Sequence, residues 1–149
     1  MSDNNNNYNM SESIPMLMSS CVKYMRETLN SRFIHNGYAI TSEQWMLLMC
    51  LGKQDGVTQQ ELAKCSDISK VSVLNLIKKL EKNNLIIRHP DPVDGRSNRV
   101  YLTDEGRNIQ CELIPFAKQN TKQIMAGISE EELQQVRSTI KKMLNNLNR

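Results

Sequence analysis

Histidine, glycine, proline and aromatic residues are scarce in this chain, and their scarcity argues against several classes of protein. With His35 and His89 as the only histidines, and four cysteines that form no C-x-x-C pair, a zinc site has few ligands to draw on. Six glycines, four prolines and 5% aromatic residues argue against an aromatic-rich β architecture. The abundant Leu, Lys and Met residues instead favour a mainly α-helical chain.

Long apolar runs are also missing. None approaches the roughly 20 residues that cross a bilayer, and the first ten residues, MSDNNNNYNM, lack the basic and apolar segments of a secretory signal. We therefore expect a cytoplasmic protein that does not contact a membrane. Because the cytosol is reducing, we expect no structural disulfide, and we interpret Cys50, Cys65 and Cys111 as core residues.

Motifs for catalysis are absent from the sequence as well. It contains no glycine-rich phosphate loop, no nucleophile motif and no cluster of metal-ligating residues. We therefore expect neither an enzyme nor a bound cofactor or metal.

The 149 residues fit a single domain that follows a polar tail. Residues 1–10 are rich in asparagine and are predicted to be disordered, because they cannot bury enough apolar surface to offset the entropy of ordering. Beyond Pro15, apolar residues recur every three or four positions from Met18 to Phe33. This spacing predicts a long first helix that ends near Asn36 and Gly37.

Three later helix starts share one six-residue pattern, a capping box flanked by a hydrophobic staple. The three boxes pair Thr41 with Gln44, Thr58 with Glu61, and Ser129 with Glu132. The last of these helices carries an apolar stripe with a spacing near 3.5, typical of a helix that packs along another helix.

Residues 58–106 read as two short helices, a longer helix and a basic β-hairpin. We place the longer helix at roughly Ser69 to Lys82 and the strands at Leu85 to His89 and Arg99 to Thr103, with Pro90, Pro92 and Gly95 in the connecting loop. A further helix is predicted from Asp104 to about Ala126, with Pro115 as a kink. The predicted fold class is therefore mainly α with a small β-hairpin wing, a winged helix-turn-helix with long dimerisation helices.

Positive charge is concentrated in this segment. Residues 70–99 contain seven basic and three acidic side chains, a net charge of +4, whereas the whole chain carries +3. An excess of cations on a helix and hairpin that can meet a duplex predicts nucleic-acid binding.

The longer helix is the predicted recognition helix, which would lie in the major groove. Its apolar face, with Val73, Leu76, Ile77 and Leu80, is expected to pack on the domain. The outward residues are Ser69, Lys70, Val71, Ser72, Leu74, Asn75, Lys78 and Lys79. Hydroxyl and amide groups suit base edges, and lysines suit phosphates. The alternative is an ordinary solvated lysine face, which is the usual place for lysines.

The hairpin tip supplies the second predicted contact, in the minor groove. Its candidate DNA-binding residues are Arg88, Asp94, Arg96, Ser97 and Arg99. Arginine is attracted to the negative potential of a narrow minor groove. We expect Asp94 to orient Arg96 through a charge-assisted hydrogen bond, with a plain turn-forming aspartate as the alternative.

The wing and its flanks resemble those of multiple-antibiotic-resistance regulator (MarR) proteins. The resemblance is carried by Asp94-Gly95-Arg96 followed by Val100-Tyr101-Leu102-Thr103 and Gly106, and by Leu80-Glu81 and Leu85-Ile86-Ile87-Arg88 before it. It implies a dimeric bacterial transcription regulator, usually a repressor, in which Asp94 and Arg96 organise the minor-groove contact. Leu74 and Val71 depart from the family, whose members often carry Ser, Thr or Arg at these outward positions.

The resemblance also implies partners and a division of the chain. We expect dimerisation helices at 11–36 and 104–149, a reading unit at 38–103, a pseudo-palindromic DNA operator, and a small aromatic or phenolic effector between the dimer body and the reading unit. The apolar stripes of the first, fifth and last helices likewise favour a second copy of the chain around a two-fold axis. The alternative is that these stripes pack against each other within one subunit.

Two alternatives remain open at this point. Relatives that sense organic hydroperoxides keep a reactive cysteine on the first helix near tyrosines, and Cys21 is followed here by Tyr24, so Cys21 is a candidate redox sensor. A buried structural cysteine is the commoner case. The chain could also be a winged-helix module whose basic hairpin binds an acidic protein surface.

Overall fold

The computed structural model describes residues 9–147, which form seven helices, three short strands and one 3-10 turn. The helices are α1 (Ile14–His35), α2 (Ser42–Lys53), α3 (Gln59–Ser66), α4 (Lys70–Lys82), α5 (Asp104–Glu112), α6 (Ile114–Ile124) and α7 (Glu130–Asn146). The strands are β1 (Val57–Thr58), β2 (Ile86–Pro90) and β3 (Asn98–Leu102). The predicted fold class, mainly α with a small β wing, is confirmed.

The predicted disordered tail lies mostly outside the described residues, which begin at Asn9. The side chain of Asn9 caps the 3-10 turn Met10–Glu12 by accepting a hydrogen bond from the Ser11 N–H at 3.3 Å. Among the described residues, regular structure begins at Met10, inside the stretch predicted to be disordered. The predicted end of the first helix is confirmed, since α1 ends at His35.

All three predicted capping boxes are present. The Gln44 N–H donates to Thr41 Oγ1 at 3.2 Å, and the Thr41 N–H donates to Gln44 Oε1 at 2.9 Å. The same reciprocal bonds start α3 and α7. Hydrogen bonds from the Thr58 and Ser129 backbones hold the pKa values of Glu61 and Glu132 below their usual range. The sequence reveals these boxes because both partners lie within four residues.

Two predictions about the helices are wrong. The single helix predicted from Asp104 to about Ala126 is two helices that meet at Leu113. Pro115 lies in the first turn of α6, where a missing N–H costs no intrahelical bond; inside one continuous helix its ring would meet the carbonyl four residues earlier. Within residues 58–106 one short helix precedes the longer α4, not two, because the other short helix, α2, lies before this stretch.

The wing belongs to a three-stranded antiparallel sheet with the strand order β1-β3-β2. Ile86 pairs with Leu102 and Pro90 with Asn98, so both hairpin strands lie one residue away from their predicted bounds. β1 was not predicted, because two residues are too short to show an alternating pattern. Its residue Val57 pairs with Val100 and ties the start of α3 to the wing.

The core lies where α2 meets α3, α4, the sheet and the ends of α1 and α5. Phe33 packs edge-on against Trp45 with ring centroids 5.8 Å apart. The largest fully buried side chains are Phe33, Leu47, Leu48, Leu51, Leu62, Val73, Ile77, Leu80, Val100 and Leu113. Phe33 and Leu113 belong to this interior, so residues 38–103 share one core with the end of α1 and the junction of α5 and α6. By contrast, α7 has no buried residue, and α1 has only Phe33.

The cysteines differ from the sequence prediction. Cys50 of α2 and Cys65 of α3 form a disulfide with their Cα atoms 6.2 Å apart. Of the three predicted core cysteines only Cys50 is buried; Cys65 and Cys111 are exposed. Fifteen residues separate the bonded pair in sequence, so no local spacing signalled the bond. It depends on the packing of α2 against α3, which a sequence pattern does not specify.

Gly106 lies at the closest backbone approach between α5 and the wing. A Cβ atom placed on it would lie 1.9 Å from the carbonyl oxygen of Leu85. Because Leu85 joins α4 to β2, this contact positions the wing against α5. A Cβ on Gly95, at the wing tip, would meet nothing within 4 Å.

We expect Gly106→Ala to lower the free energy of unfolding by about 2 kcal/mol or more, because the backbone of Leu85 must move to admit the methyl group. Gly95→Ala is the matched control and should unfold near the wild-type urea midpoint. Equal midpoints for the two variants would show that the approach at Gly106 does not constrain the fold.

Candidate nucleic-acid interface

Helix α4 is oriented by its apolar face. Val73, Leu76, Ile77 and Leu80 are all buried, as the sequence predicted. The side chain of Ser69 caps the helix, with its Oγ accepting from the Ser72 N–H at 3.2 Å. The opposite face of α4 is thereby presented to solvent.

The predicted outward residues are exposed with one exception. Val71 has 74% of its surface accessible, and Ser69, Lys70, Ser72, Asn75, Lys78 and Lys79 are exposed as well. Leu74 is only half-buried rather than fully outward. The hydroxyl groups of Ser69 and Ser72 lie 2.9 Å apart. The start of α4 therefore presents cations, hydroxyls, an amide and one apolar side chain on one surface.

Two of the predicted wing arginines have partners within the protein. The Nε and Nη2 atoms of Arg88 donate to the two carboxylate oxygens of Glu81 at 3.0 and 2.5 Å. This bidentate pair joins the end of α4 to β2. Hydrogen bonding to Arg88 holds the pKa of Glu81 below its usual range, and hydrogen bonding to Glu81 raises the pKa of Arg88.

Arg99 is held at the base of the wing. Its Nε donates to Asp91 Oδ2 at 2.7 Å and its Nη1 to the carbonyl of Gly56 at 2.8 Å. Asp91 is only 6% exposed, and its Oδ1 accepts from the backbone N–H groups of Val93 and Asp94 at 2.8 and 3.2 Å. These two backbone bonds are the main reason that the pKa of Asp91 lies below its usual range. Sequence reasoning missed the role of Asp91, since only the fold brings it to Arg99.

The predicted bond between the side chains of Asp94 and Arg96 is replaced by a bond to the backbone. Asp94 Oδ1 accepts from the Arg96 N–H at 3.1 Å, and the Ser97 N–H donates to the Asp94 carbonyl at 3.0 Å. Asp94 therefore forms a turn, the alternative that the sequence left open. A side chain two residues away reaches the backbone amide more readily than the end of a long guanidinium chain.

A groove of about 470 Å³ separates the start of α4 from the wing. It contains candidate residues from both predicted elements, namely Lys70, Arg88, Asp94, Arg96 and Ser97. It also contains Thr58, Gln59, Gln60 and Asn98, none of which the sequence analysis named as a DNA-binding candidate. Gln59 Nε2 donates to the carbonyl of Lys70 at 3.3 Å, which links α3 to the first residue of α4. The two adjacent glutamines after Thr58 were the signal in the sequence that could have indicated this part of the groove.

The free cations of this surface lie on both sides of the groove. In the described part of the chain, Arg88 and Arg99 form ion pairs, whereas Lys70, Lys78, Lys79, Lys82 and Arg96 form none. An exposed helix and a neighbouring hairpin with unpaired cations suit contact with a phosphate backbone.

The structure of residues 9–147 gives less support to a metal site, a membrane span or a redox site at Cys21. No group of three or more His, Cys, Asp or Glu side chains in that range is placed to hold a metal ion. None of the described helices is long and apolar enough to cross a bilayer. Cys21, the candidate redox sensor, is exposed on α1 with a free thiol.

The helix order, the antiparallel wing and the cationic face of α4 define a winged helix-turn-helix DNA-binding protein. The family model of the MarR family matches residues 40–97, which span the reading unit up to the wing tip. The chain belongs to the MarR family and is a DNA-binding transcriptional regulator.

Individual relatives agree with this assignment. The transcriptional regulator HosA of Escherichia coli O111:H- is 25% identical over 115 residues, which cover 77% of this chain and 85% of HosA. The solved structure of Bordetella bronchiseptica BpsR, which concerns regulation of its DNA binding by 6-hydroxynicotinic acid, matches with a TM-score of 0.83 and 26% identity over 91% of this chain and 96% of BpsR. The S. aureus MepR–DNA complex matches with a TM-score of 0.77 and 27% identity over 91% of this chain and 96% of MepR.

The buried Asp91 leads to a prediction about pH. Its pKa is lower in the folded protein than in the unfolded chain, so its stabilisation is complete above the ordinary Asp range and is lost as the pH falls through the lower, folded value. The difference in the free energy of unfolding between wild type and Asp91→Asn should stay constant from about pH 7 to pH 5 and shrink below about pH 4.

Urea unfolding across this range measures the difference. Asp94→Asn is the control, because it leaves the Asp91–Arg99 pair intact and should remain close to wild type. A wild-type advantage over Asp91→Asn that persists undiminished into strong acid would contradict the assignment.

Proposed function

We propose that the protein is a homodimeric repressor that recognises a pseudo-palindromic operator and is released by a small ligand. The observation that carries the proposal is the shared groove, with the exposed start of α4 on one side and the unpaired Arg96 of the wing on the other. In this proposal α4 lies in the major groove and the wing in the adjacent minor groove. We place the protein in the cytoplasm, because it has access to the operator there.

The roles on α4 follow from side-chain chemistry. Lys70, Lys78 and Lys79 neutralise phosphates, and Ser72 and Asn75 offer hydrogen bonds to base edges. Val71, exposed over 74% of its surface, is suited to a thymine methyl group. Leu74 contributes less, because half-burial directs part of its side chain into the domain.

In this proposal one wing residue contacts the DNA and the other wing residues hold it in position. Arg96 is the arginine that enters the minor groove, because Arg88 and Arg99 are engaged with Glu81 and Asp91. Asp94 and Ser97 fix the turn that presents Arg96. Arg88 and Arg99 hold the hairpin against α4 and β1, so we assign them a positioning role.

The dimer is supported by apolar helix surface that residues 9–147 leave exposed. On α7, Val136 and Leu144 are 53% and 44% exposed, and on α1, Ile14 and Leu17 are 52% and 49% exposed. An amphipathic helix without a single buried residue implies a partner for its apolar stripe. We propose a dimer body from residues 11–36 and 104–149 and a reading unit at 38–103. The Trp45 Nε1–H bond to the Gln110 carbonyl, at 3.2 Å, couples the two.

DNA binding should depend on the wing and on salt. With a random duplex, fluorescence anisotropy should show affinity that falls steeply as salt rises, because several phosphates lose counterions. Arg96→Ala should weaken binding about tenfold. Lys141→Ala on α7 is the control and should bind as wild type.

Both variants should sediment at about twice the chain mass of 17.1 kDa, so that a loss of affinity reports the contact and not the assembly. Salt-insensitive or absent binding would favour the second reading, a winged-helix module for an acidic protein surface. Equal losses from Arg96→Ala and Lys141→Ala would contradict the wing assignment.

A cavity between α1, α2 and α6 is the proposed effector site. Its volume is about 240 Å³, and its lining is mainly apolar, with Val22, Met25, Leu29, Trp45, Met46, Ile68, Ile124 and Met125. Its polar lining includes Asn120, which is 6% exposed, and Ser42, whose buried Oγ has no hydrogen-bond partner within residues 9–147. An apolar wall with a few buried polar groups suits a small aromatic or phenolic molecule.

Ligand in this cavity would act on DNA binding because Ser66 and Ile68, which flank the turn into α4, form part of its wall. A molecule that favours a different spacing of the two recognition helices releases the operator. BpsR, whose DNA binding is regulated by 6-hydroxynicotinic acid, makes that compound the first probe, with phenol beside it.

We expect at least one of these probes to weaken operator binding about tenfold in the wild type and to have little effect on Ile124→Trp, whose larger ring fills the cavity. Gln54→Trp places the same ring at the exposed end of α2, outside the cavity and outside the proposed dimer body, and should respond as wild type. Binding isotherms with and without probe measure both. An equal response of the two variants would place the effector elsewhere.

A further inference from the structure

The bond between Cys50 and Cys65 joins two helices of the reading unit. Its Cα separation of 6.2 Å lies inside the usual range of about 4.4–6.8 Å for disulfides. The backbone therefore brings the two thiols together through the packing of α2 on α3. Neither Cys21 nor Cys111 has a comparable partner among the described residues.

The two sulfur atoms lie in different surroundings. Cys50 is 6% exposed and lies between buried core residues of α2, whereas Cys65 is exposed in the last turn of α3. A small oxidant in solution therefore reaches Cys65 first. Once Cys65 has reacted, Cys50 is the neighbouring thiol that can resolve the product.

The bond also lies next to the turn that leads from α3 into α4. Cys65 immediately precedes Ser66, which lines the cavity, and Asp67, whose left-handed backbone (φ 53°) turns the chain towards α4. A link at this point fixes the end of α3 to α2. It therefore restricts the movement that would re-aim the recognition helix.

We propose that Cys50 and Cys65 are a reversible redox pair, and that their oxidation by a small disulfide locks α3 and α4 in the DNA-binding arrangement. The inference rests on the proposed function, since the locked element is the DNA-reading helix. In the structure, which contains the bond, the start of α4 and Arg96 of the wing line one groove, the arrangement that the proposed function assigns to operator binding. The oxidised form is therefore the operator-binding form.

The reaction is two thiol–disulfide exchanges. The Cys65 thiolate attacks one sulfur of a small disulfide RSSR, forms a mixed disulfide Cys65–S–SR and releases RS⁻, which takes up a proton. The Cys50 thiolate then attacks the Cys65 sulfur, the Cys50–Cys65 bond forms, and the second RS⁻ leaves. The pair loses two electrons and two protons, and RSSR becomes two RSH. Excess RSH reverses both steps.

The test uses the full chain, reduced with dithiothreitol and then exposed to oxidised glutathione as RSSR. We expect one equivalent of oxidised glutathione to lower the number of free thiols, counted in denaturant, from four to two. We also expect a peptide containing Cys50 linked to Cys65, and a rise in Tm of about 5 °C or more from closing the 15-residue loop. Operator affinity, measured at one salt concentration, should rise about threefold or more on oxidation.

Variants separate this pair from the other cysteines. Cys65→Ser, at an exposed position, should lose the thermal shift and the gain in affinity, while Cys50→Ser should retain a mixed disulfide on Cys65. Cys111→Ser and Cys21→Ser are controls and should respond as wild type. A response that disappears in Cys21→Ser alone would assign the sensing to Cys21 and overturn the proposal.

Three further results would overturn it: four reactive thiols after treatment, a link that maps to other cysteines, or a Cys50–Cys65 link that changes neither Tm nor operator affinity. Failure of the proposed function is recognised separately, because it would appear as absent DNA binding in both redox states while the thiol count and the thermal shift remain.

Discussion

The burial of one face of α4 against α2 is the interaction on which the rest of this structure depends. Val73, Ile77 and Leu80 are almost completely removed from solvent, and they meet a core in which Leu47, Leu48 and Leu51 are equally buried. Because a helix has only one set of directions for its side chains, fixing this face also fixes where Lys70, Ser72 and Asn75 point. The proposed DNA-reading surface is therefore a consequence of apolar packing on the opposite side of the same helix.

Ion pairs hold the wing in position against the rest of the domain. The wing carries three arginines, Arg88, Arg96 and Arg99. Two of them form ion pairs that hold the hairpin in place: Arg88 pairs with Glu81 at the end of α4, and Arg99 pairs with the buried Asp91. The pairs neutralise charge where the wing meets the domain and leave Arg96 unpaired at the tip. The two structural arginines and Arg96, the proposed DNA contact, therefore differ in what surrounds them and not in residue type.

The two proposed controls act on the same small region. The cavity and the Cys50–Cys65 bond both adjoin the last turn of α3, one through Ser66 and Ile68 and the other through Cys65. This turn leads directly into α4, and its Asp67 adopts a left-handed conformation that few residues other than glycine, asparagine and aspartate favour. In these proposals the ligand and the oxidant bias one element in opposite senses, because each would stabilise a different position of the same turn.

The sequence by itself determined the helix starts, the packed face of α4, the hairpin and its excess of positive charge, because each depends on neighbours within a few residues. Tertiary structure alone decided the pairing of Arg99 with Asp91, the short strand β1, the split at Leu113 and the approach of Cys65 to Cys50. These features join residues that are distant in sequence or depend on which alternative packs better, as with a proline that can either kink a helix or begin a new one. Asp94 combines both kinds of feature. Its turn is local and follows from the sequence, but the geometry of the folded tip decided that its carboxylate accepts a hydrogen bond from a backbone amide and not from a guanidinium.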